Sequence, residues 1–351
     1  MSRLDGVLFS AVRYFQPKSD YTTDTVLSAI HYKLAFGVIL ACAILTGVTS
    51  WYSPIECMRP DNLMIDSSLL KQWCYAQSMF IVDGPSAEEN IFPGVKNIYG
   101  DSRNRVVYIR YYQWVTLCLL MQAACFQVPR ILWKAMEGGR VQKLLERLYE
   151  LETMPMNERE PRISELALLF TLRPECDNKR YVNWFIFSQI LYFINAVAQV
   201  SLTQSFLDNQ FITLFPKWVM GKPVLDAVFP KTAKCTLHAY GPTGDIQYIN
   251  ALCLLAMNVL IEKIYLLLWA VLMFSLVVSA LQIIYVTVSM TSWRLRNAIL
   301  STGKSRTQMK LLKGEWLFLK FVKDSLDNSL LFTDFMKAIS KARISSSNIK
   351  L

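Results

Sequence analysis

The chain has 351 residues, of which 53% are hydrophobic and only 18% are charged, and its formal net charge is +10. Soluble globular proteins carry about 25% charged residues, so this composition argues against a pair of soluble domains. A positive net charge can also indicate a nucleic-acid-binding protein. The basic residues form no patch interleaved with aromatic residues, however, and we do not expect that class.

Residues 1–30 are predicted to form a cytoplasmic N-terminal segment. They contain charged residues such as Arg3, Asp5, Arg13 and Lys18, and they lack an apolar core. A cleavable signal peptide requires such a core. The segment is therefore expected to remain attached to the chain.

Four long apolar stretches follow, and the charged residues are concentrated between them. Each is about 20 residues or longer, which is the length that a helix needs to cross the hydrocarbon core of a membrane. One such stretch could be a buried helix of a soluble protein, but four with aromatic residues at their ends indicate a membrane protein. The predicted transmembrane helices are 31–52, 111–134, 183–206 and 264–290.

Lysine and arginine are distributed unevenly among the connecting segments. Segment 135–182 holds eight of them and the tail 291–351 holds twelve, whereas acidic residues nearly balance the basic residues of 53–110 and 207–263. Cytoplasmic segments of membrane proteins carry the excess of basic residues. We therefore expect 135–182 and 291–351 to be cytoplasmic, 53–110 and 207–263 to be extracellular loops, and both termini of this multi-pass plasma membrane protein to be cytoplasmic.

The eight cysteines provide a test of this topology. Four lie in predicted helices or in the cytoplasmic loop, where reduced thiols are expected: Cys42, Cys118, Cys125 and Cys176. The other four lie in the predicted extracellular loops, where an oxidising environment favours two disulfide bonds: Cys57, Cys74, Cys235 and Cys253. Four cysteines allow three pairings, and their positions in the sequence do not select one.

Neither a metal site nor catalysis is predicted. No CxxC spacing occurs, the only histidines are His31 and His238, and no GxSxG, HExxH or Walker-type glycine sequence is present. We therefore expect no enzymatic activity and no cofactor. The polar residues of the predicted helices favour hydrogen bonding between helices over an ion relay. They are Gln122, Gln127, Gln189, Asn195, Gln199 and Gln282.

Several stretches of the sequence resemble innexins of the pannexin/innexin superfamily, and most of all the insect-type gap junction proteins. The motif YYQW, formed by Tyr111, Tyr112, Gln113 and Trp114, is similar to the motif by which innexins are known. Similar stretches occur nearly from end to end of the chain: PRILWKAMEGGR (129–140), VFPKTAKCTLHAYGPTGDIQ (228–247) and GEWLFL (314–319). Connexins differ because they have three cysteines in each extracellular loop.

The resemblance implies an all-α membrane protein, a four-transmembrane-helix subunit with disulfide-stapled extracellular loops and a helical cytoplasmic dome. It implies the disulfide bonds Cys57–Cys253 and Cys74–Cys235. It also implies that the first residues fold into the mouth of a pore, which gives these candidate pore-lining residues: Met1, Ser2, Arg3, Leu4 and Asp5. Pro129 lacks a backbone N–H and is predicted to kink the second helix near its cytoplasmic end.

The function implied by the resemblance is that of a gap junction channel subunit, which forms a large-pore intercellular channel for ions and small metabolites. The subunits would form a ring, typically an octamer, that docks with a second ring in the plasma membrane of an apposed cell. The ring could include other innexins and would contact membrane lipids but no nucleic acid. Two alternatives remain: a non-docking hemichannel, or a non-conducting accessory or adhesion subunit that co-assembles with other innexins.

Overall fold

The computed structural model of the chain describes residues 23–52, 55–58, 66–83, 105–172, 178–221, 224–240, 243–300, 311–326 and 328–349. Within these residues, four helices are long and apolar enough to cross a membrane. Their bounds are Leu27–Tyr52, Val115–Glu137, Lys179–Phe206 and Ala256–Thr291. The predicted four-helix membrane protein is thereby confirmed. The candidate pore-lining residues 1–5 and Cys176 lie outside the described residues.

The first membrane helix has three parts, whereas the other three are continuous α-helices. The three parts are α1 (Val26–Ala29), a π-helical segment (Ile30–Ala35) and α2 (Phe36–Tyr52). The continuous helices are α4 (Val115–Glu137), α7 (Asn178–Phe206) and α10 (Ala256–Thr291).

The first membrane helix begins at Leu27, before the predicted start at 31, whereas α4 begins at Val115, after the predicted start at 111. The other two membrane helices also begin before the predicted transmembrane stretches. Helix α7 begins at Asn178, where the apolar pattern begins at 183, and α10 begins at Ala256, where the pattern begins at 264. The additional part of α10, which is slightly more than two turns long, contains Glu262 and Lys263. Charged residues are compatible with a helix but not with hydrocarbon, so the apolar pattern marks only the part of each helix that fits the membrane core.

The chain divides into two compact units, which we call the bundle unit and the sheet unit. The bundle unit comprises the residues up to Leu34, Phe126–Asn195 and the residues from Leu276 onwards, and the sheet unit comprises Ala35–Cys125 and Ala196–Ser275. Besides parts of the membrane helices, the bundle unit contains α5 (Arg140–Glu152), α6 (Met156–Leu172), α11 (Trp293–Leu300), α12 (Lys313–Ser325) and α13 (Ser329–Ile349).

The helices of the bundle unit pack around buried aromatic rings. Helix α12 is buried nearly all round, as expected for a helix at the centre of a bundle. The Phe170 ring of α6 lies 6.0 Å from the Phe318 ring of α12 and 6.2 Å from the Phe335 ring of α13. On α5, apolar residues at helical spacing face this core: Val141, Leu144, Leu145, Leu148 and Leu151. The amphipathic pattern of α5 thus explains its position.

Two glycines form the turn between α4 and α5. Gly138 and Gly139 have φ angles of 66° and 71°, in the left-handed region that favours glycine. The Glu137 carboxylate accepts hydrogen bonds from the backbone N–H groups of Gly139 and Val141, each at 2.8 Å. The sequence EGGR therefore both turns the chain and caps the start of α5.

The sheet unit contains α3 (Ser67–Ala76), α8 (Phe211–Val219), α9 (Val224–Val228) and a five-stranded antiparallel sheet. The strands are β1 (Glu56–Cys57), β2 (Met79–Asp83), β3 (Arg105–Ile109), β4 (Thr232–Tyr240) and β5 (Ile246–Leu254), in the order β1-β5-β4-β2-β3. Both predicted extracellular loops contribute strands. The sequence analysis did not predict this sheet, which joins the two loops into one structure.

Candidate functional site

One disulfide bond of the sheet unit crosses the pair of strands β1 and β5. Cys57 and Cys253 are direct partners in the register of these strands, with 3.9 Å between their Cα atoms. The bond is Cys57–Cys253, as the resemblance implies. It connects residues that are 196 positions apart in the sequence, so it joins the first loop to the second.

The second disulfide bond connects a helix to the sheet. Cys74 lies on α3 and bonds to Cys235 of β4, with 5.7 Å between their Cα atoms. Next to it, the Trp73 indole N–H donates to the backbone oxygen of Thr236 at 3.5 Å. Cys74 and Cys235 are completely buried. The two loops are therefore covalently joined at two places, once between two strands of the sheet and once between α3 and the sheet.

The YYQW motif holds the end of the helix that carries Cys74. The Tyr112 hydroxyl lies 3.2 Å from the backbone oxygens of Tyr75 and Gln77, to which it donates. The Gln113 side-chain amide donates to the oxygens of Tyr75 and Ala76 at 2.6 and 3.2 Å. These oxygens lie at the C-terminal end of α3, where helical carbonyl groups lack partners within the helix. The motif therefore positions α3, and through it the Cys74–Cys235 bond.

The rings of the motif have different environments. Tyr112 is 2% exposed, and the Tyr111 ring contacts the Phe229 ring at 5.8 Å between centroids. Burial raises the pKa of Tyr112 to about 12, and it raises the pKa of Tyr111 as well, because the ionised phenolate would be poorly solvated. Trp114, in contrast, is 55% exposed. Its exposure is what is expected of a ring that anchors a helix at a membrane surface.

The hairpin of β4 and β5 exposes apolar side chains near its tip. The strands pair from Thr232 opposite Leu254 to Tyr240 opposite Ile246. Tyr240, Ile246 and Tyr248 are 80%, 54% and 70% exposed. A cluster of exposed apolar residues on a rigid hairpin is typical of a protein interaction surface. His238, also exposed, packs its ring against that of Tyr248 at 5.0 Å.

In the bundle unit, the start of the first membrane helix is held against α4. The Arg130 guanidinium lies 3.7 Å from the Asp24 carboxylate and 4.1 Å from the centre of the Tyr32 ring. The Tyr32 hydroxyl donates to Asp24 at 2.9 Å, and the Trp133 indole N–H donates to the backbone oxygen of Thr23 at 3.1 Å. These contacts hold Thr23 and Asp24, the first residues that the structure describes, against α4.

Several of the polar residues of the predicted spans form hydrogen bonds between helices, among them Gln122, Gln127 and Gln189. Gln122 donates to Thr203 at 2.7 Å within the sheet unit. Within the bundle unit, Gln127 donates to the backbone oxygen of Tyr32 at 3.2 Å, and Gln189 accepts from Ser28 at 3.3 Å. Pro129 lies inside α4, and a kink at this residue remains a prediction.

The described cysteines divide between disulfide bonds and free thiols. Cys42, Cys118 and Cys125 are free. The described residues contain one group with three potential metal-ligand atoms close together, namely Cys57, Cys74 and Cys253. Their sulfur atoms are already bonded in disulfides, and a disulfide sulfur lacks the thiolate charge by which cysteine binds metal ions.

These features define a class of protein: a membrane protein with four spanning helices and two loops joined by disulfide bonds into one sheet. The family model for Innexin matches residues 24–343. The chain therefore belongs to the innexin family. Innexins form gap junction channels in membranes and are not enzymes.

Individual relatives agree with this assignment. Innexin inx7 of Drosophila melanogaster is 29% identical over 363 residues, which cover 92% of this chain and 82% of the relative. Innexin shaking-B of the same species is 26% identical over 369 residues, which cover 95% of this chain and 94% of the relative. Innexin inx2 of Schistocerca americana is 29% identical over 276 residues, which cover 75% of each chain.

Proposed function

We propose that the chain forms a ring-shaped, large-pore channel for ions and small metabolites, and that two such rings in apposed plasma membranes dock into an intercellular channel. The proposed ring is an octamer, which can also include other innexins. The proposal of docking is supported mainly by the disulfide-linked sheet and its hairpin of β4 and β5. A pre-ordered surface binds more tightly than mobile loops, because less conformational entropy is lost on contact.

The exposed apolar tip of the hairpin supports this proposal. Tyr240, Ile246 and Tyr248 supply the kind of side chain that is enriched at interfaces between proteins. The Cys57–Cys253 bond holds the far end of β5 to β1, and the Cys74–Cys235 bond holds β4 to α3. Both strands of the hairpin are thus tied to the rest of the sheet unit.

The proposal also includes the orientation of the chain in the membrane and the residues that line the pore. The sheet unit contains the disulfide bonds and would face the oxidising extracellular space, with both termini and segment 135–182 in the cytoplasm. Residues 1–5 would line the pore mouth, where the charges of Arg3 and Asp5, repeated by every subunit, would select among permeating ions. The contacts of Asp24 and Thr23 with α4 support this role, because they fix the base of the N-terminal segment.

Junctional current between paired cells that express only this chain tests the proposal. Under dual voltage clamp we expect current between the cells that is absent from pairs without the protein. The Cys57→Ser variant removes the covalent link between β1 and β5 and is expected to abolish junctional current. The matched control is Cys125→Ser, which replaces a free cysteine of α4 and is expected to retain it.

Other outcomes identify the alternatives. Current through single membranes without junctional current would show a hemichannel that does not dock. The absence of both currents, with confirmed surface expression, would contradict a channel formed by this chain alone. It would leave an accessory or adhesion subunit that works with other innexins. A Cys57→Ser variant with normal junctional current would refute the role given to the disulfide-linked sheet.

A further inference from the structure

Helix α8 exposes apolar side chains although its sequence was assigned to an extracellular loop. Ile212, Val219 and Met220, the residue after the helix, are 46%, 64% and 71% exposed, while Phe211 and Leu214 on the other face are completely buried. The only charged residue of the helix is Lys217. A helix that packs on protein with one face normally shows polar residues to water on the other. The exposed face of α8 therefore fits an apolar environment.

A rigid turn fixes where α8 lies. Asp208 and Asn209 have φ angles of 46° and 63°, in the left-handed region, which ends the helical path directly after α7. The Gln204 side chain closes the turn, because its amide donates to the Asn209 oxygen at 2.5 Å and its oxygen accepts from the Ile212 N–H at 2.8 Å. Helix α8 is thus held next to the end of a membrane helix.

Contacts with α10 give the depth of α8. The Trp269 indole N–H donates to the backbone oxygen of Ile212 at 3.1 Å, and the Phe215 ring stacks on the Trp269 ring at 4.5 Å. Trp269 lies six residues beyond Lys263, the last charged residue before the uncharged stretch 264–293. At 1.5 Å per residue, this places Trp269 about 9 Å into that stretch. A centred core of about 30 Å would begin close to Trp269.

We propose that α8 is an interfacial anchor that lies in the lipid of the membrane, with Ile212, Val219 and Met220 against acyl chains. Phe215 and Trp269 lie at the depth where aromatic side chains prefer the membrane interface. Lys217 has a long apolar stem and can place its ammonium group among the lipid headgroups. The partner is therefore a lipid surface. This inference requires the four membrane helices and does not depend on channel activity or docking.

Spin labels on the exposed face test this inference. Cysteine is placed at Val219 or, independently, at Met220 of the full chain, and a nitroxide is attached in phosphatidylcholine nanodiscs. The other labelled positions serve as references: Tyr248 of β5 for water and Phe274 of α10 for lipid, which are 70% and 49% exposed. The background retains both disulfide bonds and replaces the remaining cysteines by alanine: Cys42, Cys118, Cys125 and Cys176.

Power saturation with oxygen and with a polar nickel complex distinguishes the possible environments. A label in lipid is as accessible to oxygen as the label at Phe274. Its accessibility to nickel is about tenfold lower than that of the label at Tyr248, because polar complexes are excluded from hydrocarbon. We expect this combination of high oxygen accessibility and low nickel accessibility at Val219 and Met220. Nickel accessibility equal to that of Tyr248 would show that α8 faces water. Low accessibility to both reagents would show that α8 packs against a second copy of the chain, and either result overturns the proposal.

Discussion

The two units of the chain are stabilised by different kinds of interaction. In the sheet unit, two disulfide bonds join segments that are 196 and 161 residues apart, and strand pairing fixes their register. In the bundle unit, the described residues contain no disulfide bond, and the helices pack around buried rings such as Trp133 and Phe318. The disulfide bonds restrict loop segments that are far apart in the sequence, whereas the described helices of the bundle unit are held together by side-chain packing. The stability of the sheet unit should therefore respond to reductant, and that of the bundle unit to side-chain volume.

The largest effect is expected from Trp133→Ala in the bundle unit. Trp133 is 2% exposed, and its ring contacts those of Tyr181, Phe185 and Phe321. Removing a buried aromatic ring costs about 3–5 kcal/mol of unfolding free energy. Hydrogen exchange of the full chain in nanodiscs should show faster exchange in α5 and α12 and no change in β4 and β5.

The matched control for this substitution is Trp51→Ala. Trp51 is 87% exposed, so its removal leaves no cavity in the protein. Exchange in α5 and α12 should then match that of the unchanged chain. Equal acceleration in both variants would contradict the role of Trp133 in the bundle core.

The next effect is expected from removing the Cys74–Cys235 bond with the double variant Cys74→Ser, Cys235→Ser. A disulfide bond of this kind stabilises a protein by about 2–4 kcal/mol, mainly because it restricts the unfolded chain. Exchange should accelerate in β4 and β5 and remain unchanged in α12. Reductant added to the unchanged chain should reproduce this pattern, and Cys42→Ser, which replaces a free cysteine, should not. Faster hydrogen exchange in α12 after addition of reductant would contradict this difference between the two units.

A smaller effect is expected from Glu315→Gln, which tests whether charges matter in the bundle unit. The Glu315 carboxylate lies 2.6 Å from the Arg343 guanidinium, and these side chains are 6% and 24% exposed. Because Arg343 still reaches water, the expected loss is about 1–2 kcal/mol, less than for a fully buried pair. Chemical denaturation measures the loss, and a double-mutant cycle with Arg343→Gln isolates the pair.

An exposed pair on α13 is the control for this substitution. Asp334 and Lys337 lie 3.3 Å apart, with side chains that are 39% and 56% exposed. Asp334→Asn should change the unfolding free energy by no more than about 0.5 kcal/mol, as is usual for surface pairs. A loss as large as that of Glu315→Gln would show that burial does not distinguish the two pairs.

The difference between the bundle unit and the sheet unit also explains which features the sequence could predict. The four membrane helices follow from uninterrupted apolar stretches, and the leucines of α5 follow the helical period. The pairing of the cysteines did not follow from their positions, because register brings Cys57 opposite Cys253 only after the sheet has formed. The resemblance to innexins supplied that pairing in advance.

Two features of the sheet unit escaped the sequence analysis. Ala233, Cys235 and Leu237 occupy every second position of β4, and all three are buried. The turn-forming sequence GPTGD follows the strand, and the two patterns together indicate a hairpin. The role of Tyr112 was not visible, because it caps carbonyl groups of α3 that lie 35 and 37 residues earlier in the chain. The periodicity of apolar residues indicates whether a residue is buried, but it does not identify the hydrogen-bond partners that lie far away in the sequence.

The smallest expected effect is that of Tyr112→Phe, which removes one hydroxyl from the sheet unit. Loss of its hydrogen bonding to Tyr75 and Gln77 should lower the unfolding free energy by about 1 kcal/mol. Exposed Tyr108 of β3 provides the matched control, Tyr108→Phe, for which no comparable loss is expected.

The pH dependence of this variant tests the burial of Tyr112 separately. A tyrosine in the unfolded chain ionises near pH 10, whereas burial raises the pKa of Tyr112 to about 12 in the folded chain. The folded state thus binds more protons between these values, so its stabilisation is complete below about pH 10 and is lost as the pH rises through 12. Thermal unfolding from pH 9 to 11.5 should therefore show a shallower loss of stability for Tyr112→Phe than for the unchanged chain or Tyr108→Phe. Equal slopes for all three would show that Tyr112 is accessible to water in the folded protein.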